Sequence, residues 1–343
     1  MSKQTTPMKF GMLRFARDMN EYVSWCQLVE RVGLDLIAAG DSSTMWIDPF
    51  VTLTAAALHT TRARLAITVT NPVTRHPAVM ASACAGLQSV SGGRAVLGIS
   101  GGDSAVLNLG LRPAPLAEVE TYLQCVRALC ANQETTYRGQ KIKIQWPVQR
   151  MPIWIAADGA KALRLAGGIA DGVVVHLGID EASVKEATRH IHDGARAAGR
   201  NPAEVEVWWV FQAYISKTEA EGWRELRYLT SGIANHVFRF TFEGKAVPPE
   251  LQEPLRALQR DYRPDLHVDD RHADGHNAQI VDNHGLREFL GRRFLLCGPP
   301  EQIAQNLRRM ASWGATNFLF INVAEDRISA LRQLNDQVLK LLR

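Results

Sequence analysis

The 343-residue chain lacks any uninterrupted apolar segment close to the ~18 residues of a membrane-spanning helix. Its first residues, MSKQTTPMKFGMLRF, contain no apolar core followed by small residues, which is the pattern of a secretory signal. With 46% hydrophobic and 22% charged residues, the composition is close to that of an ordinary globular protein. We therefore expect a soluble, cytoplasmic protein that does not bind membranes.

The sequence also lacks the cysteine spacing of a zinc or redox motif. Its five cysteines are an odd number and no two are spaced C-x-x-C, so we expect buried free thiols. The formal net charge of +4 is small and the arginines are scattered, which argues against nucleic acid as a partner. Local basic patches can still attract the phosphate or carboxylate groups of a cofactor.

Short β-rich segments alternate with longer amphipathic helical segments along most of the chain. The eight segments with strand composition are KFGMLRF, LDLIAAG, RLAITVT, RAVLGIS, PIWIAA, GVVVHLG, EVWWVFQA and TNFLFIN. Helices are predicted over 20–32, 50–60, 77–90, 116–131, 160–169, 181–198 and 328–341. The strands are nearly continuous in aliphatic residues, as in parallel sheets that are buried on both faces. The pattern predicts one α/β domain over 1–343, a (β/α)8 TIM barrel, with an open doubly wound sheet as the alternative.

Two segments are longer than ordinary loops. Residues 132–150 predict a small hairpin excursion, and residues 216–298 contain helical stretches followed by a run rich in Pro, Asp and His. Long ordered loops in compact domains are usually lids or binding loops. Because barrel active sites lie at the carboxyl ends of the strands, we expect 216–298 to form an insertion, or lid, over the barrel mouth.

Four histidines in this insertion raise the question of a metal site. They are His267, His272, His276 and His284, with aspartates between them. Only His272 and His276 have the i, i+4 spacing that places two ligands on one helix face. We therefore predict a solvated lid and no metal.

Two motifs stand out: TNPVTRHP at 70–77 follows the third predicted strand, and SGGRAVLGISGGD at 91–103 surrounds the fourth, RAVLGIS. Both resemble motifs of the luciferase-like flavin-dependent oxidoreductases (bacterial luciferase-like monooxygenases), and more narrowly of the branch similar to methylenetetrahydromethanopterin reductase. The resemblance extends to 152–175 and 298–320 and is weakest over 216–290.

This resemblance implies an enzyme that performs redox chemistry on a small organic substrate with one of two cofactors. With reduced FMN and oxygen, the protein would be a monooxygenase that could depend on a separate flavin reductase. With the deazaflavin coenzyme F420, it would transfer hydride to a carbonyl or imine-like acceptor. Both remain open at this point, and the alternative is a cofactor-empty barrel that acts as a binding or partner subunit. We also expect a homodimer or higher homo-oligomer.

In the family, the loop after the fifth strand receives the cofactor phosphate. The matching residues are Ala157, Asp158, Gly159, Ala160 and Lys161. Independently of the family, a helix N-terminus offers unpaired N–H groups and a positive dipole, and Gly159 lets the backbone approach a ligand. The Asp158 carboxylate would repel a phosphate unless it turns away, and we favour a role as helix cap.

The resemblance further implies a non-proline cis peptide bond under the flavin ring at the end of the third strand, here Thr68–Val69. The family branch usually has glycine at the first position, and an ordinary trans strand end is the alternative. The remaining cofactor contacts implied by the two motifs are Thr70, Asn71, Gly101 and Gly102.

Three ionisable residues close predicted strands at the mouth and are the candidate catalytic residues: Asp41, Asp103 and His176. Asp103 could donate a proton if burial raised its pKa, but it could equally cap the following helix.

Ser42, Trp46 and His76 complete the predicted substrate pocket. Deazaflavin-using relatives carry Asp-His after the second strand, with a tryptophan a few residues later. Here Ser42 replaces the histidine and cannot act as an imidazole acid, whereas Trp46 is retained. For His76, the alternative is a histidine that bonds the backbone at a helix start.

Overall fold

A computed structural model describes residues 7–263, 266, 274–321, 324 and 326–343. Its strands are β1 (Lys9–Leu13), β2 (Leu36–Ala39), β3 (Arg64–Thr70), β4 (Ala95–Ile99), β5 (Thr135–Tyr137), β6 (Gln140–Ile142), β7 (Ile153–Ala156), β8 (Gly172–Val175), β9 (Glu206–Ile215), β10 (Leu295–Gly298) and β11 (Asn317–Ile321). Its helices are α1 (Met19–Arg31), α2 (Pro49–His59), α3 (Pro77–Val90), α4 (Ser104–Leu107), α5 (Leu116–Leu129), α6 (Ala160–Ile169), α7 (Glu181–Ala197), α8 (Glu219–Glu225), α9 (Arg227–Phe238), α10 (Pro249–Asp261), α11 (His276–Asn283), α12 (Arg287–Phe294), α13 (Pro300–Ser312) and α14 (Arg327–Gln333). Short 3-10 turns span Pro202–Glu204 and Leu339–Leu341, and a π turn spans Leu334–Val338.

Eight parallel strands form a closed barrel. Each pairs with the next in the order β1, β2, β3, β4, β7, β8, β9 and β11, and β11 pairs back with β1. These are the eight predicted strands, so the predicted TIM barrel is confirmed and the open sheet is excluded. The short strand β10 was not predicted. It pairs with the last four residues of β9, beyond the part of β9 that pairs with β8.

Alternate residues of the barrel strands fill the barrel interior. This inner cluster contains Leu13, Leu36, Ala38, Ala66, Val96, Trp154, Val174, Trp208, Val210 and Leu319. Because side chains alternate with a period of two, the residues two positions further along the strands continue the same face toward the mouth. This upper layer contains Phe15, Thr68, Ala156, His176, Gln212 and Ile321.

The outer helices begin and end at the signals that the sequence contains. Asp18 caps α1 by accepting a hydrogen bond from the Glu21 N–H at 2.8 Å, and α1 ends before Gly33, whose φ is +83°. All seven predicted helices begin within one residue of their expected starts. Helices α2 and α3 contain no Asp, Glu, Lys or Arg, which among the other described helices is true only of the single-turn α4.

The two predicted excursions have different structures. Strands β5 and β6 pair as an antiparallel hairpin within 132–150. The segment 216–298 forms helices α8 to α12 and ends in β10. Helix α11 packs against α9 and buries Ala278, Ile280 and Val281, and Ile280 and Val281 belong to the same hydrophobic cluster as the barrel strands and outer helices, so this described part of the insertion is continuous with the core.

The histidines of the insertion show no metal cluster where they are described. His276 Nε2 lies 2.8 Å from the Asp261 carbonyl oxygen, and His284 Nε2 lies 2.8 Å from Asp261 Oδ2. Within the described ranges, no group of three or more His, Cys, Asp or Glu side chains could hold a metal ion. His267 and His272 lie outside those ranges.

All five cysteines are buried and free, as predicted. Among the helices that the structure describes, none has both the length and the apolar character needed to cross a membrane.

Candidate active site

Asp41, a predicted catalytic residue, lies at the carboxyl end of β2 with its carboxylate already occupied. Its Oδ2 accepts hydrogen bonds from Thr70 Oγ1 at 2.6 Å and from Arg75. Arg75 also pairs with Asp48 in front of α2. The Asp41 side chain is buried, and its hydrogen bonds with Thr70 and Arg75 connect the end of β2 to β3 and the turn after it. These contacts indicate a structural role and do not support the predicted catalytic role.

Ser42 and Trp46 follow Asp41 at the rim of the mouth. Ser42 Oγ donates to Ser104 Oγ at 3.0 Å, which connects the end of β2 to α4. The Trp46 ring stacks on Phe15 of the upper layer at 5.0 Å between centroids, and the Arg17 guanidinium lies 4.6 Å from the Trp46 ring centroid. Trp46 therefore lines the mouth next to the residues that follow β1.

His76 does not lie in the substrate pocket. Its Nδ1 accepts a hydrogen bond from the Ala78 N–H at 3.2 Å and caps α3, and its ring contacts Tyr137 of the hairpin edge-on at 5.3 Å. The ring is exposed on the outside of the barrel. The predicted pocket role is wrong because the N-cap position directs the imidazole toward the helix and the hairpin.

The end of β3 contains the Thr68–Val69 peptide bond, and this bond is cis. The register between β3 and β4 shifts at the same point. Gly98 of β4 makes this possible, because a Cβ there would lie 2.3 Å from the Ile67 carbonyl oxygen. Two polar atoms near this point, Thr68 Oγ1 and Asn71 Nδ2, are buried without a hydrogen-bond partner.

Asn71, Gly101 and Gly102 have clear structural roles. Asn71 Oδ1 accepts from the N–H groups of Val73 and Thr74, both at 2.9 Å, and fixes the turn after β3. Gly102 has a φ of +103°, and a Cβ at Gly101 would lie 2.6 Å from the Ala114 carbonyl oxygen. These contacts explain the two glycines without a ligand.

The loop between β7 and α6 leaves the helix N-terminus open. Gly159 is the N-cap of α6 and no side chain caps the helix, so the expected capping by Asp158 is wrong. Instead, Asp158 Oδ1 accepts a hydrogen bond from the His176 backbone N–H at 2.7 Å. No atom lies within 4 Å of a Cβ added at Gly159, so the space beside Gly159 is open, whereas Gly244 of the insertion packs against Ala160.

Asp103 lies in front of α4 but makes no capping hydrogen bond. Its Oδ2 lies 2.9 Å from His236 Nδ1, and its Oδ1 accepts from Arg239 Nη1 at 3.1 Å. Burial alone would raise the pKa of Asp103, but His236 and Arg239 outweigh burial and lower that pKa to about 2. Asp103 is therefore an ionised carboxylate at neutral pH, which does not favour a role as proton donor, and the alternative, a side-chain helix cap, is wrong.

His236 and Arg239 are the site residues that the sequence did not reveal. Both lie at the end of α9 in the insertion, 133 and 136 residues from Asp103. His236 Nε2 also lies 3.9 Å from Asp158 Oδ2. The segment NHVFRF contains no motif, and it falls where the resemblance is weakest, so only tertiary contact identifies these residues.

His176 closes β8 in the upper layer of the barrel, as predicted for a residue of the mouth. Its ring is buried and interacts with the side chain of the neighbouring upper-layer residue Gln212, whose hydrogen bond favours the protonated ring. Burial lowers the pKa of His176 below its ordinary value, with the Asp158 carboxylate opposing that shift. His176 is therefore a neutral imidazole at neutral pH.

Arg293 of α12 ties the insertion to the barrel. Its guanidinium is buried and donates to three backbone carbonyl oxygens, those of Leu177 (2.9 Å), Ala246 (3.2 Å) and Lys245. Burial lowers the pKa of Arg293 to about 10. The insertion is thus anchored directly behind the end of β8.

A family model described as luciferase-like monooxygenase matches residues 5–317. The chain belongs to this family. The barrel, the cis bond at the end of β3 and the two motifs all agree with that membership, and the class predicted from the motifs, an oxidoreductase enzyme, is confirmed.

Curated members of the family include two kinds of relative. A 5,10-methylenetetrahydromethanopterin reductase from Methanolobus tindarius is 33% identical over 190 residues, 53% of this chain and 58% of that protein. An F420-dependent glucose-6-phosphate dehydrogenase from Microbacterium testaceum is 24% identical over an alignment that covers 99% of this chain and 98% of that protein. The chain therefore spans little more than half the length of the first relative and nearly all of the second.

Solved structures share the fold. The coenzyme F420 dependent tetrahydromethanopterin reductase from Methanopyrus kandleri has a TM-score of 0.78 at 21% identity, covering 98% of this chain and 100% of that chain. A monooxygenase from Streptomyces bottropensis has a TM-score of 0.68 at 18% identity, covering 98% of this chain and 100% of that chain.

Proposed function

We propose that this luciferase-like protein binds the deazaflavin coenzyme F420 in the barrel mouth and transfers hydride to a small organic substrate. The observation that carries the proposal is a pair of buried polar atoms without protein partners at the end of β3, Thr68 Oγ1 and Asn71 Nδ2. The buried side chains of His176 and Gln212, which interact with each other, add two polar groups in the same upper layer.

These atoms fit the polar edge of a flavin-type ring. A buried donor or acceptor without a partner costs about 1–3 kcal/mol, so a ligand that pairs with it is stabilised. The set combines donors and acceptors and carries no charge, since His176 is neutral at neutral pH. The pyrimidinedione edge of a flavin or deazaflavin ring likewise combines C=O and N–H groups without a positive charge.

The open N-terminus of α6 would hold the phosphate of the same cofactor. Ala160 and Lys161 begin this helix, the space beside Gly159 is open, and Asp158 is turned toward His176. Unpaired N–H groups and the helix dipole favour a phosphate at this position.

F420 is favoured over FMN by the relatives. The Microbacterium protein, aligned over almost the whole chain, is named F420-dependent. When bound, the reduced deazaflavin supplies a hydride, and the residues of the mouth bind the ring, exclude water and hold the proton. The FMN-dependent monooxygenase remains the second candidate, supported by the family description and by monooxygenases of the same fold.

Titrating the purified protein with F420 and with FMN, each oxidised and reduced, tests the proposal. We expect F420 absorbance and fluorescence to change on saturable binding. Binding of reduced FMN alone would overturn the proposal in favour of the monooxygenase, which would then require a separate flavin reductase. Binding of neither would favour the cofactor-empty barrel.

A matched pair of variants locates the site. Thr68→Val removes the unpartnered hydroxyl at nearly constant volume and should weaken F420 binding by about tenfold. Thr121→Val makes the same change on the exposed face of α5, where the hydroxyl bonds only the Ala117 carbonyl, and should leave affinity unchanged. Equal affinities of both variants would remove Thr68 from the site.

We further propose a cytoplasmic homodimer that assembles through α2 and α3. These adjacent helices expose Val51, Leu58, Val79 and Val90 on a surface to which neither helix contributes a charged Asp, Glu, Lys or Arg. A second copy can cover this surface without burying an unpaired charge from either helix. The five unpaired thiols suit a reducing compartment.

A further inference from the structure

We infer that His236, on the inserted helix α9, supplies the proton in the proposed hydride transfer and that Asp103 positions its ring. The inference rests on the proposed function, because it assigns the acid for the same site. It gives the insertion a chemical role in addition to covering the mouth.

The geometry defines one engaged and one available ring nitrogen. His236 Nδ1 lies 2.9 Å from Asp103 Oδ2, a normal hydrogen bond. His236 Nε2 lies 3.9 Å from Asp158 Oδ2, too far for a direct hydrogen bond. Asp103 thus fixes the ring, while Nε2 points to the side of Asp158, in the loop after β7, without a direct hydrogen bond and is the nitrogen left to donate a proton to a substrate oxygen.

The surrounding charges favour the protonated ring. The imidazole lies in the mouth with 48% of its side chain exposed, so desolvation lowers the pKa of His236 only in part, and the carboxylates of Asp103 and Asp158 raise that pKa above its ordinary value, with Arg239 opposing them. Two other titratable rings interact with this group: burial and His236 lower the pKa of His176 at the end of β8, and burial and Asp103 raise the pKa of Tyr262 after α10. Because Asp103 stays ionised down to about pH 2, the proton of this pair resides on His236.

A proton donor completes the balance of the reaction. Reduction of a carbonyl group adds hydride, from the reduced deazaflavin, to carbon, and the electron pair of the C=O π bond moves to oxygen. That oxygen takes the proton from His236 Nε2 and becomes a hydroxyl group. The cofactor ends oxidised, the substrate ends reduced by two electrons, and His236 ends as a neutral imidazole, ready to take up a proton from water.

Helix α9 supplies the imidazole next to Asp103, and the neighbouring end of β2 does not. At the end of β2, the position after Asp41 is Ser42, and its hydroxyl bonds Ser104 beside Asp103. That edge of the mouth therefore has no imidazole. Helix α9 brings one to Asp103 from the other side of the mouth.

The first test needs neither cofactor nor substrate. In isotope-labelled protein, the imidazole resonances of His236, assigned with His236→Gln, are followed against pH. We expect the pKa of His236 to lie above 6.5 and to fall by about one unit in Asp103→Asn, a tenfold loss of proton affinity. A second His–Asp pair of the insertion, His284 with Asp261, is the control, and its resonances should not move in Asp103→Asn. An unchanged His236 pKa in Asp103→Asn would overturn the positioning role of Asp103.

The second test measures turnover with saturating F420. His236→Gln should lower kcat by about 10²-fold or more and remove the alkaline limb of the pH profile, whereas Asp103→Asn should shift that limb to lower pH. His284→Gln should leave kcat and the profile unchanged. If His236→Gln binds F420 normally and keeps kcat within threefold, the inference fails although the proposed function stands. If the wild-type protein does not bind F420, the proposed function fails, and the cofactor-free titration of His236 remains interpretable.

Discussion

Asp158 Oδ1 accepts a 2.7 Å hydrogen bond from the backbone N–H of His176. This bond connects the loop after β7 to the end of β8, and it turns the only carboxylate of the loop away from the N-terminus of α6. A phosphate would then meet N–H groups, with open space beside Gly159. A single side-chain orientation thus decides whether the loop repels or accepts an anion.

Gly159→Leu should weaken cofactor binding by about tenfold or more, because the new side chain fills the open space at the N-terminus of α6. The free energy of unfolding should hardly change, since no atom lies within 4 Å of the added Cβ and the φ of Gly159 is −113°. Isothermal titration and chemical denaturation measure the two quantities. Gly168→Ala, near the end of the same helix, is the control and should leave affinity intact. Unchanged affinity in Gly159→Leu would exclude the loop from the phosphate site.

Arg293→Met should lower the free energy of unfolding by about 3 kcal/mol or more. The change leaves three backbone carbonyl oxygens without their donor at a buried position. The adjacent Arg292 is exposed, pairs with Glu288 on the helix surface and lies 5.7 Å from the Trp223 ring centroid, so Arg292→Ala should cost about 1 kcal/mol or less. Denaturant titration of both variants tests the anchor, and similar costs for the two would contradict it.

Glu30 should make stability depend on acid pH. Burial would raise the pKa of Glu30, but the backbone N–H groups of Ala63, Arg62 and Thr61 outweigh burial and lower that pKa to about 2. Because its pKa is lowered, the ionised Glu30 stabilises the folded state above pH 4.5, the ordinary pKa, and this stabilisation is lost as the pH falls toward 2.

Glu30→Gln should therefore cost roughly 1–2 kcal/mol at pH 7 and less at pH 3. Glu253→Gln, at an exposed ion pair of α10, is the control and should be near neutral at both pH values. Thermal unfolding at a series of pH values provides the comparison. If the difference in stability between Glu30→Gln and wild type is the same at every pH, the pKa of Glu30 does not change on folding and the prediction is wrong.

Leu58→Glu should convert the proposed dimer into monomers, because it places a charge in an apolar interface. Leu58 is 70% exposed in the single chain, so the monomer should fold normally. Sedimentation velocity of the wild type and the variant measures the assembly state. Leu341→Glu alters an exposed leucine far along the chain, outside α2 and α3, and should not change the sedimentation coefficient. A monomeric wild type would exclude the proposed interface.

Local signals in the sequence were sufficient to predict the barrel and the cis bond at the end of β3. Period and composition identified all eight barrel strands, and the helix caps placed the helix starts, because both depend on residues close together in the chain. The motif after β3 located the cis bond at Thr68–Val69. Strand β10 was not predicted because four residues are too few to show a strand periodicity. Its strand conformation depends on pairing with the end of β9.

The sequence by itself determined the class of fold, the family and the end of the barrel at which the chemistry lies, since these follow from repeated local patterns and two long motifs. The tertiary structure alone decided what each polar side chain does there. The Asp41 carboxylate accepts hydrogen bonds from Thr70 and Arg75, and His76 caps a helix outside the mouth. Asp103 pairs with His236, which lies 133 residues further along the chain. Hydrogen bonds and charge interactions depend on distances of a few ångströms between atoms. Because sequence separation does not set those distances, the roles of these residues emerge only when the chain has folded.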